Sequence, residues 1–326
     1  MEVVTTKKLH LFAGRHSEEL TELIASRLGV EVTEAYVSQF ASGETHCRFA
    51  QSVRGSDVFI VQSHGELDGR SVNDSIMEHL IMVDAARRAS AKRITAVMPF
   101  YGYGRQDRKS EGREPITARL VADLFKAAGA NRLVSIDLHS GQIQGFFNGP
   151  VDHLLAMPVL VDRLTALGDD LVVVSPDAGR VKVAERYAQQ LDADLAIVHK
   201  RRVTGQMNVV EAKDVVGEVT GRECVLIDDM IDTAGTICQA AELLVERGAH
   251  TVLAAATHGV FSGPAVDRLK NSVLDRVIVT DTLPIGSDKR FDKLEVLTVA
   301  PIIADAIRAV FEDTSVSRIF DGQNHS

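Results

Sequence analysis

The run VLIDDMIDTAGT, Val225 to Thr236, brings together three kinds of group that could act on one ligand. Asp228 and Asp229 are adjacent carboxylates at the end of an apolar stretch, Thr233 and Thr236 carry hydroxyls, and the turn around Ala234 and Gly235 leads into a helix whose first amides are free. Ligands of open α/β sheets bind at the carboxyl edge of the strands, where this run would lie. Amides at a helix N-terminus, with threonine hydroxyls, suit a phosphate monoester; paired carboxylates suit vicinal sugar hydroxyls, held directly or through Mg2+. A purely structural account has Asp232 and Thr233 capping the helix. It leaves Asp228 beside Asp229 unexplained, because adjacent acids repel unless cations or hydroxyl donors offset them.

Other candidates are weaker as plain chemistry. In MPFYGYGRQDRK, Met98 to Lys109, Arg105 and Gln106 follow an aromatic, glycine-rich strand end, where a guanidinium can meet phosphate and an amide a base or ribose. The bland alternative is a solvated basic loop with Arg108, Lys109 and Arg113. In IDLHSGQIQGFF, Ile136 to Phe147, His139 closes a strand just after Asp137; a lone histidine there is more often structural than a metal ligand. Lys200 and Arg202 follow a strand at Leu195 to Val198, in a segment that runs on through Gly205 and Gln206, and alone read as surface cations.

Short β-branched runs alternate with amphipathic stretches along the whole chain, the pattern of βαβ units around mainly parallel sheets. Strands are expected at Leu9–Ala13, Val58–Gln62, Ile94–Met98, Leu133–Asp137, Leu171–Ser175, Val225–Asp228, Val252–Ala256 and Val277–Thr280. Ile116, Leu120, Val121, Leu124 and Phe125 recur at helical spacing between Pro115 and Gly129, as do Ile237, Ala241, Leu244 and Val245, so each set is expected to lie on a sheet. The turn-forming Asn148-Gly149-Pro150 marks a seam between domains 1–150 and 151–326, whose similar rhythm suits duplication, and the polar end Asp321–Ser326 is expected to fray.

A length of 326 residues suits two domains at roughly 100–200 residues each. The net charge of -9 argues against a general nucleic-acid or anionic-membrane partner, which needs a basic face. Cys47, Cys224 and Cys238 show neither CxxC nor Cys/His metal spacing, so no disulfide framework or zinc site is expected. MEVVTTKKLHLFAG holds no signal-like apolar run and no stretch approaches a membrane span, so a cytoplasmic location is expected.

The Asp228 run resembles the phosphoribosyl-diphosphate loop of type I phosphoribosyltransferases. Over nearly the whole chain, through FASGE (Phe40–Glu44), Met98–Lys109, Ile136–Phe147, SPDAGR (Ser175–Arg180), HKRR (His199–Arg202) and THGVFSGPA (Thr257–Ala265), the sequence is similar to ribose-phosphate diphosphokinases. The resemblance implies an α/β fold of two phosphoribosyltransferase-like domains, each a mainly parallel sheet flanked by helices. It implies transfer of the β,γ-diphosphate of ATP to the 1-hydroxyl of ribose 5-phosphate. By the same resemblance Phe40, Ser42, Gly43, Glu44, Arg105 and Gln106 bind ATP, the FASGE hairpin arm reaching a neighbouring subunit. Arg202, Asp228, Asp229, Asp232, Thr233, Ala234, Gly235 and Thr236 bind ribose 5-phosphate, His139 and Asp177 hold Mg2+, and Lys200 and Arg202 act from a flexible loop. A homohexamer is implied, with inorganic phosphate activating and ADP inhibiting near Ser52, Arg54, Ser315 and Ser317.

The chain departs from the family's pattern in places. Ser42 stands where Asn or Asp is usual, Gly104 where alanine is common, Arg180 where glycine follows SPDAG, and Gly112 where many relatives have serine. Arg180 either alters the entrance to the ribose-phosphate site or lies in the first turn of the next helix. A non-catalytic regulatory homologue would degrade these motifs, which are intact; a phosphoribosyltransferase would leave the N-terminal half without work.

Overall fold

The structure, a computed structural model, describes residues 7–168, 170–201 and 212–320. In the first unit the chain runs through β1 (Leu9–Ala13), α1 (Glu18–Leu28), β2 (Ala35–Gln39), β3 (Thr45–Phe49), β4 (Asp57–Val61), α2 (Val72–Arg88), β5 (Arg93–Met98), α3 (Thr117–Ala128), β6 (Arg132–Ile136) and β7 (Val151–Leu154). Strands β1, β4, β5, β6 and β7 form one all-parallel sheet in that spatial order. All of β4, DVFIV, is buried, as expected of a parallel strand covered on both faces. Strands β2 and β3 form a separate antiparallel hairpin.

Local signals set the helix limits. Ser71 and Asp74 close a capping box at the start of α2. Gly29, at φ 72, ends α1 in the left-handed conformation that glycine tolerates best. Helix α3 buries Ala118, Val121, Ala122 and Phe125, and its core partners include Phe12, Ile60, Met82 and Met98. Of the expected face only Val121 and Phe125 point inward; Ile116, Leu120 and Leu124 are exposed at 38%, 55% and 42%. The covering stripe is the 118/121/122/125 set, and the other apolar residues form a second stripe beside it.

The second unit contains α4 (Met157–Thr165), β8 (Leu171–Ser175), α5 (Val181–Leu191), β9 (Asp194–Arg201), β10 (Ala212–Val216), β11 (Glu223–Ile231), α6 (Gly235–Glu246), β12 (Thr251–Gly259), α7 (Ala265–Asn271), β13 (Arg276–Thr280) and β14 (Leu294–Leu297). Among the described residues its seven strands lie in the order β10-β9-β8-β11-β12-β13-β14. Only β10 runs antiparallel to its neighbour. After β8 the chain moves outward to β9, then returns to place β11 on the other side of β8. This reversal makes a topological switch point at the carboxyl ends of β8 and β11.

The compact units do not follow a single cut at 150. The first extends to Leu155 and takes back Thr282–Pro284 and the described residues from Thr298 onward, including α8 (Ala300–Phe311). Helix α8 packs on α1, and Arg93 of β5 bonds Asp313 just beyond α8 at 2.5 Å. Eight residues of α8 are buried, and burial of that apolar face, with its packing on α1, draws the C-terminal segment back. Residues 321–326, expected to fray, lie outside the described residues.

Candidate active site

In the second unit the Asp228 run sits at the switch point. Strand β11 continues past the expected Asp228 to Ile231, because Met230 and Ile231 pair with His258 and Gly259 of β12. Asp228 is therefore inside the strand, and its carboxylate accepts from the Asp229 amide at 2.8 Å. Helix α6 starts at Gly235 after its N-cap residue Ala234, which takes φ 60 and has no polar side chain to cap it. The N-cap position thus falls on Ala234 rather than on Asp232 or Thr233. First-turn amides at this helix N-terminus, beside the exposed Thr233 and Thr236, suit an anion. Behind the loop, Ser262 donates its amide to the Asp232 carbonyl at 3.0 Å and Arg268 donates to the Thr233 carbonyl at 2.9 Å. The Thr257–Ala265 motif thus supports the loop from the rear.

Arg180 resolves the two readings left open for it. It is the N-cap residue of α5, and its guanidinium also reaches across the switch point, with Nε 3.2 Å from Asp228 and Nη2 2.6 Å from Asp229. Burial first, then the Asp229 charge, pushes the Asp228 carboxyl well above the usual range, while Arg180 opposes the shift. Arg180, set against both carboxylates, offsets the repulsion between them. Asp177 is exposed after β8, where its Oδ1 accepts the Gly179 amide at 2.7 Å. Lys200 lies within the extended β9, in register with Lys213 of β10, rather than beyond the strand. Arg202, Gly205 and Gln206 fall outside the described residues.

In the first unit two sequence motifs meet. Arg105 is exposed in the loop after β5. Gln106 is tied to α3: its side-chain oxygen accepts from the Thr117 hydroxyl at 2.5 Å and its carbonyl from the Ala118 amide at 3.2 Å. Asp107, missed by sequence reasoning, is only 9% exposed and accepts from Ser140 Oγ and Gln142 Nε2, both at 2.6 Å. It clamps the Arg105 loop to the segment carrying His139, which follows Asp137 at φ 38. The acidic residue among basic neighbours was the available sign of this clamp.

The Phe40–Glu44 segment forms the tip of the β2–β3 hairpin. Gly43 takes φ 90, the Phe40 amide donates to Glu44 at 2.9 Å, and Phe40 is 58% exposed. The Ser42 hydroxyl donates to the Glu44 carboxylate at 2.8 Å. The short side chain at 42 is thus engaged within its own loop.

A family model for the N-terminal domain of ribose phosphate pyrophosphokinase matches residues 9–129, and one for a phosphoribosyl synthetase-associated domain matches residues 203–321. A ribose-phosphate pyrophosphokinase of Streptomyces avermitilis is 56% identical over 319 residues, covering 97% of each chain. Another, from Mycobacterium bovis, is 55% identical over 319 residues, again with 97% of each chain covered. The crystal structure of phosphoribosylpyrophosphate synthetase from Mycobacterium smegmatis matches with 54% identity and a TM-score of 0.88, covering 94% of this chain and 100% of that one.

Proposed function

The chain belongs to the ribose-phosphate pyrophosphokinase family, and on that premise we propose that it transfers the β,γ-diphosphate of ATP to the 1-hydroxyl of ribose 5-phosphate, giving 5-phosphoribosyl 1-diphosphate and AMP. The observation that carries this reading is the anion site at the start of α6 beside Asp228 and Asp229, which suits a sugar phosphate. The loop built around Arg105 in the first unit is one that an enzyme merely consuming the product would not need.

Ribose 5-phosphate rests its phosphate on Asp232 to Thr236 and turns its ring hydroxyls to Asp228 and Asp229. ATP is taken by Arg105 and Gln106, with Phe40 against the adenine and Ser42, Gly43 and Glu44 at its polar edge. Among the described residues no group of three His, Cys, Asp or Glu side chains could by itself hold a metal ion. Following the family resemblance, His139 and Asp177 would each offer Mg2+ a single protein ligand, with nucleotide phosphates and water completing an oxygen-rich shell. Bound there, Mg2+ would neutralise phosphate charge. The 1-hydroxyl oxygen attacks the β-phosphorus in line and loses its proton, the bond from that phosphorus to the α,β-bridging oxygen breaks, and AMP departs. Lys200 and Arg202 offset the charge that develops, so positioning and cationic stabilisation do the work and no covalent enzyme intermediate is needed.

A homohexamer working in the cytoplasm completes this reading. The exposed stripe of Ile116, Leu120 and Leu124 and the exposed Phe40 support an oligomer, since apolar surface of that kind is ordinarily covered by a partner. Among the described residues no helix is long and apolar enough to cross a membrane. Activation by inorganic phosphate and inhibition by ADP near Ser52, Arg54, Ser315 and Ser317 belong to the same proposal; activity indifferent to both would remove them.

The test is AMP release from purified protein with MgATP and inorganic phosphate, with and without ribose 5-phosphate, while phosphoribosyl diphosphate is measured in parallel. Equal yields of both products, only with the sugar, are expected. Binding of both substrates without AMP would overturn the catalytic reading.

A further inference from the structure

We propose that His64 is a positioning residue for the nucleotide loop, holding the Gly102 amide through an imidazole whose ring His79 orients. The proposal rests on the reading that Arg105 and Gln106 take ATP. His64 follows β4 and His79 lies on α2; both are fully buried. The Gly102 amide donates to His64 Nδ1 at 3.1 Å, so that nitrogen carries no proton and the ring proton sits on Nε2. Nε2 lies 3.2 Å from His79 Nδ1, to which it donates, leaving the His79 proton on its own Nε2. The three groups form one directed chain, from Gly102 to His64 to His79. Phe125 closes it, stacked on His64 at 5.6 Å and edge-on to His79 at 4.8 Å.

His64 holds the loop at two points, because its own amide also donates to the Phe100 carbonyl at 3.2 Å. The contact is tight: a Cβ on Gly102 would stand 2.8 Å from the His64 Cβ and 3.0 Å from Ile76 Cδ1. Beyond Gly102 the loop turns through Gly104 N to Tyr101 O and Gln106 N to Tyr103 O, presenting Arg105, and is then clamped by Asp107. Arg105 is thus carried on a segment fixed by His64 at one end and by Asp107 at the other. A hydrocarbon side chain at 64 would fill the space but leave a buried amide unpaired. A lone histidine could flip its ring; the second imidazole gives it one orientation. Burial keeps both rings neutral, which an amide donor at Nδ1 requires.

The geometry separates two conservative variants. The Oδ1 of His64→Asn falls near the position of Nδ1 and can accept from Gly102, whereas the polar end of His64→Gln falls near Nε2 and serves only the His79 side. With the full-length enzyme, His64→Gln should raise the KM for ATP about tenfold, about 1.4 kcal/mol, with the KM for ribose 5-phosphate within about twofold. His64→Asn should restore the ATP value to within about twofold. Equal behaviour of the two variants, or equal loss for both substrates, overturns the proposal. Arg105→Ala is the control: if it leaves the ATP KM unchanged, the nucleotide reading of the loop is wrong and the proposal falls with it, whereas a raised value with an unaffected His64→Gln defeats the positioning role alone. Should a variant fold poorly, histidine 15N spectra of the wild-type protein decide independently. Both rings are expected as Nε2-protonated neutral tautomers, and an Nδ1-protonated His64 overturns the assignment.

Discussion

Acidification should destabilise the first unit through the buried His64–His79 pair. An unfolded imidazole takes its proton near pH 6.5, but in the fold burial pushes His79 down to about 3 and His64 well below its ordinary value. Between those limits the unfolded chain binds protons that the folded unit refuses, so stability rises with pH across the window and falls as pH drops below about 6.5. Near pH 5 the linkage amounts to about 2 kcal/mol for His79, and His64 adds to it in the same direction. Urea unfolding followed by far-ultraviolet circular dichroism at pH 7, 6 and 5 measures it. The comparison is with the double variant His64→Asn/His79→Leu, which retains an acceptor for Gly102 but cannot titrate. Other groups with lowered values, such as His16 and His10, remain in both proteins and cancel. The wild type should lose at least about 2 kcal/mol more than the variant between pH 7 and pH 5. Parallel pH profiles, differing by less than about 1 kcal/mol, would refute the claim that these two rings are held neutral.

Further outcomes follow from the sites themselves. Arg180→Met keeps the aliphatic stem but removes the cation between Asp228 and Asp229; the second unit should lose about 2–3 kcal/mol near pH 8 and less near pH 6, where the raised Asp228 carboxyl holds its proton, measured by urea midpoints. Thr236→Val should weaken ribose 5-phosphate binding about tenfold in calorimetry, the cost of one hydrogen bond to a charged group. Asp107→Ala releases Ser140 and Gln142 and should raise the KM for ATP several-fold in steady-state assays while leaving the KM for ribose 5-phosphate unchanged. Lys200→Ala should lower kcat by about 10²-fold or more with little change in ATP affinity, measured by pairing turnover with equilibrium binding; equal losses would argue against a role confined to the transition state.

Much of the fold can be read from local pattern because its strands are short apolar runs ending in polar or glycine-rich turns. The expected Leu9–Ala13 and Leu171–Ser175 match β1 and β8 residue for residue. Edges are less legible. Strand β10 has no partner evident from its own residues, and β11 outruns its apolar stretch because β12 supplies a partner for Met230 and Ile231. Helical periodicity likewise placed α3 but not its inward face, since two apolar stripes compete and only the sheet decides between them.

The order of strands and helices, the acidic run at the end of an apolar strand, the glycine-bearing turn before α6 and the motifs that mark the family are all legible in the chain read alone. These depend on neighbours a few residues apart. Folding in three dimensions was needed to bring Arg180 to Asp228 and Asp229, to let Asp107 join two motifs, to set His64 and His79 in one hydrogen-bonded chain with Gly102, and to return α8 to the first unit. Each of these contacts depends on charge pairing, hydrogen-bond direction or burial, which act through distance in space, and no spacing along the sequence encodes that distance.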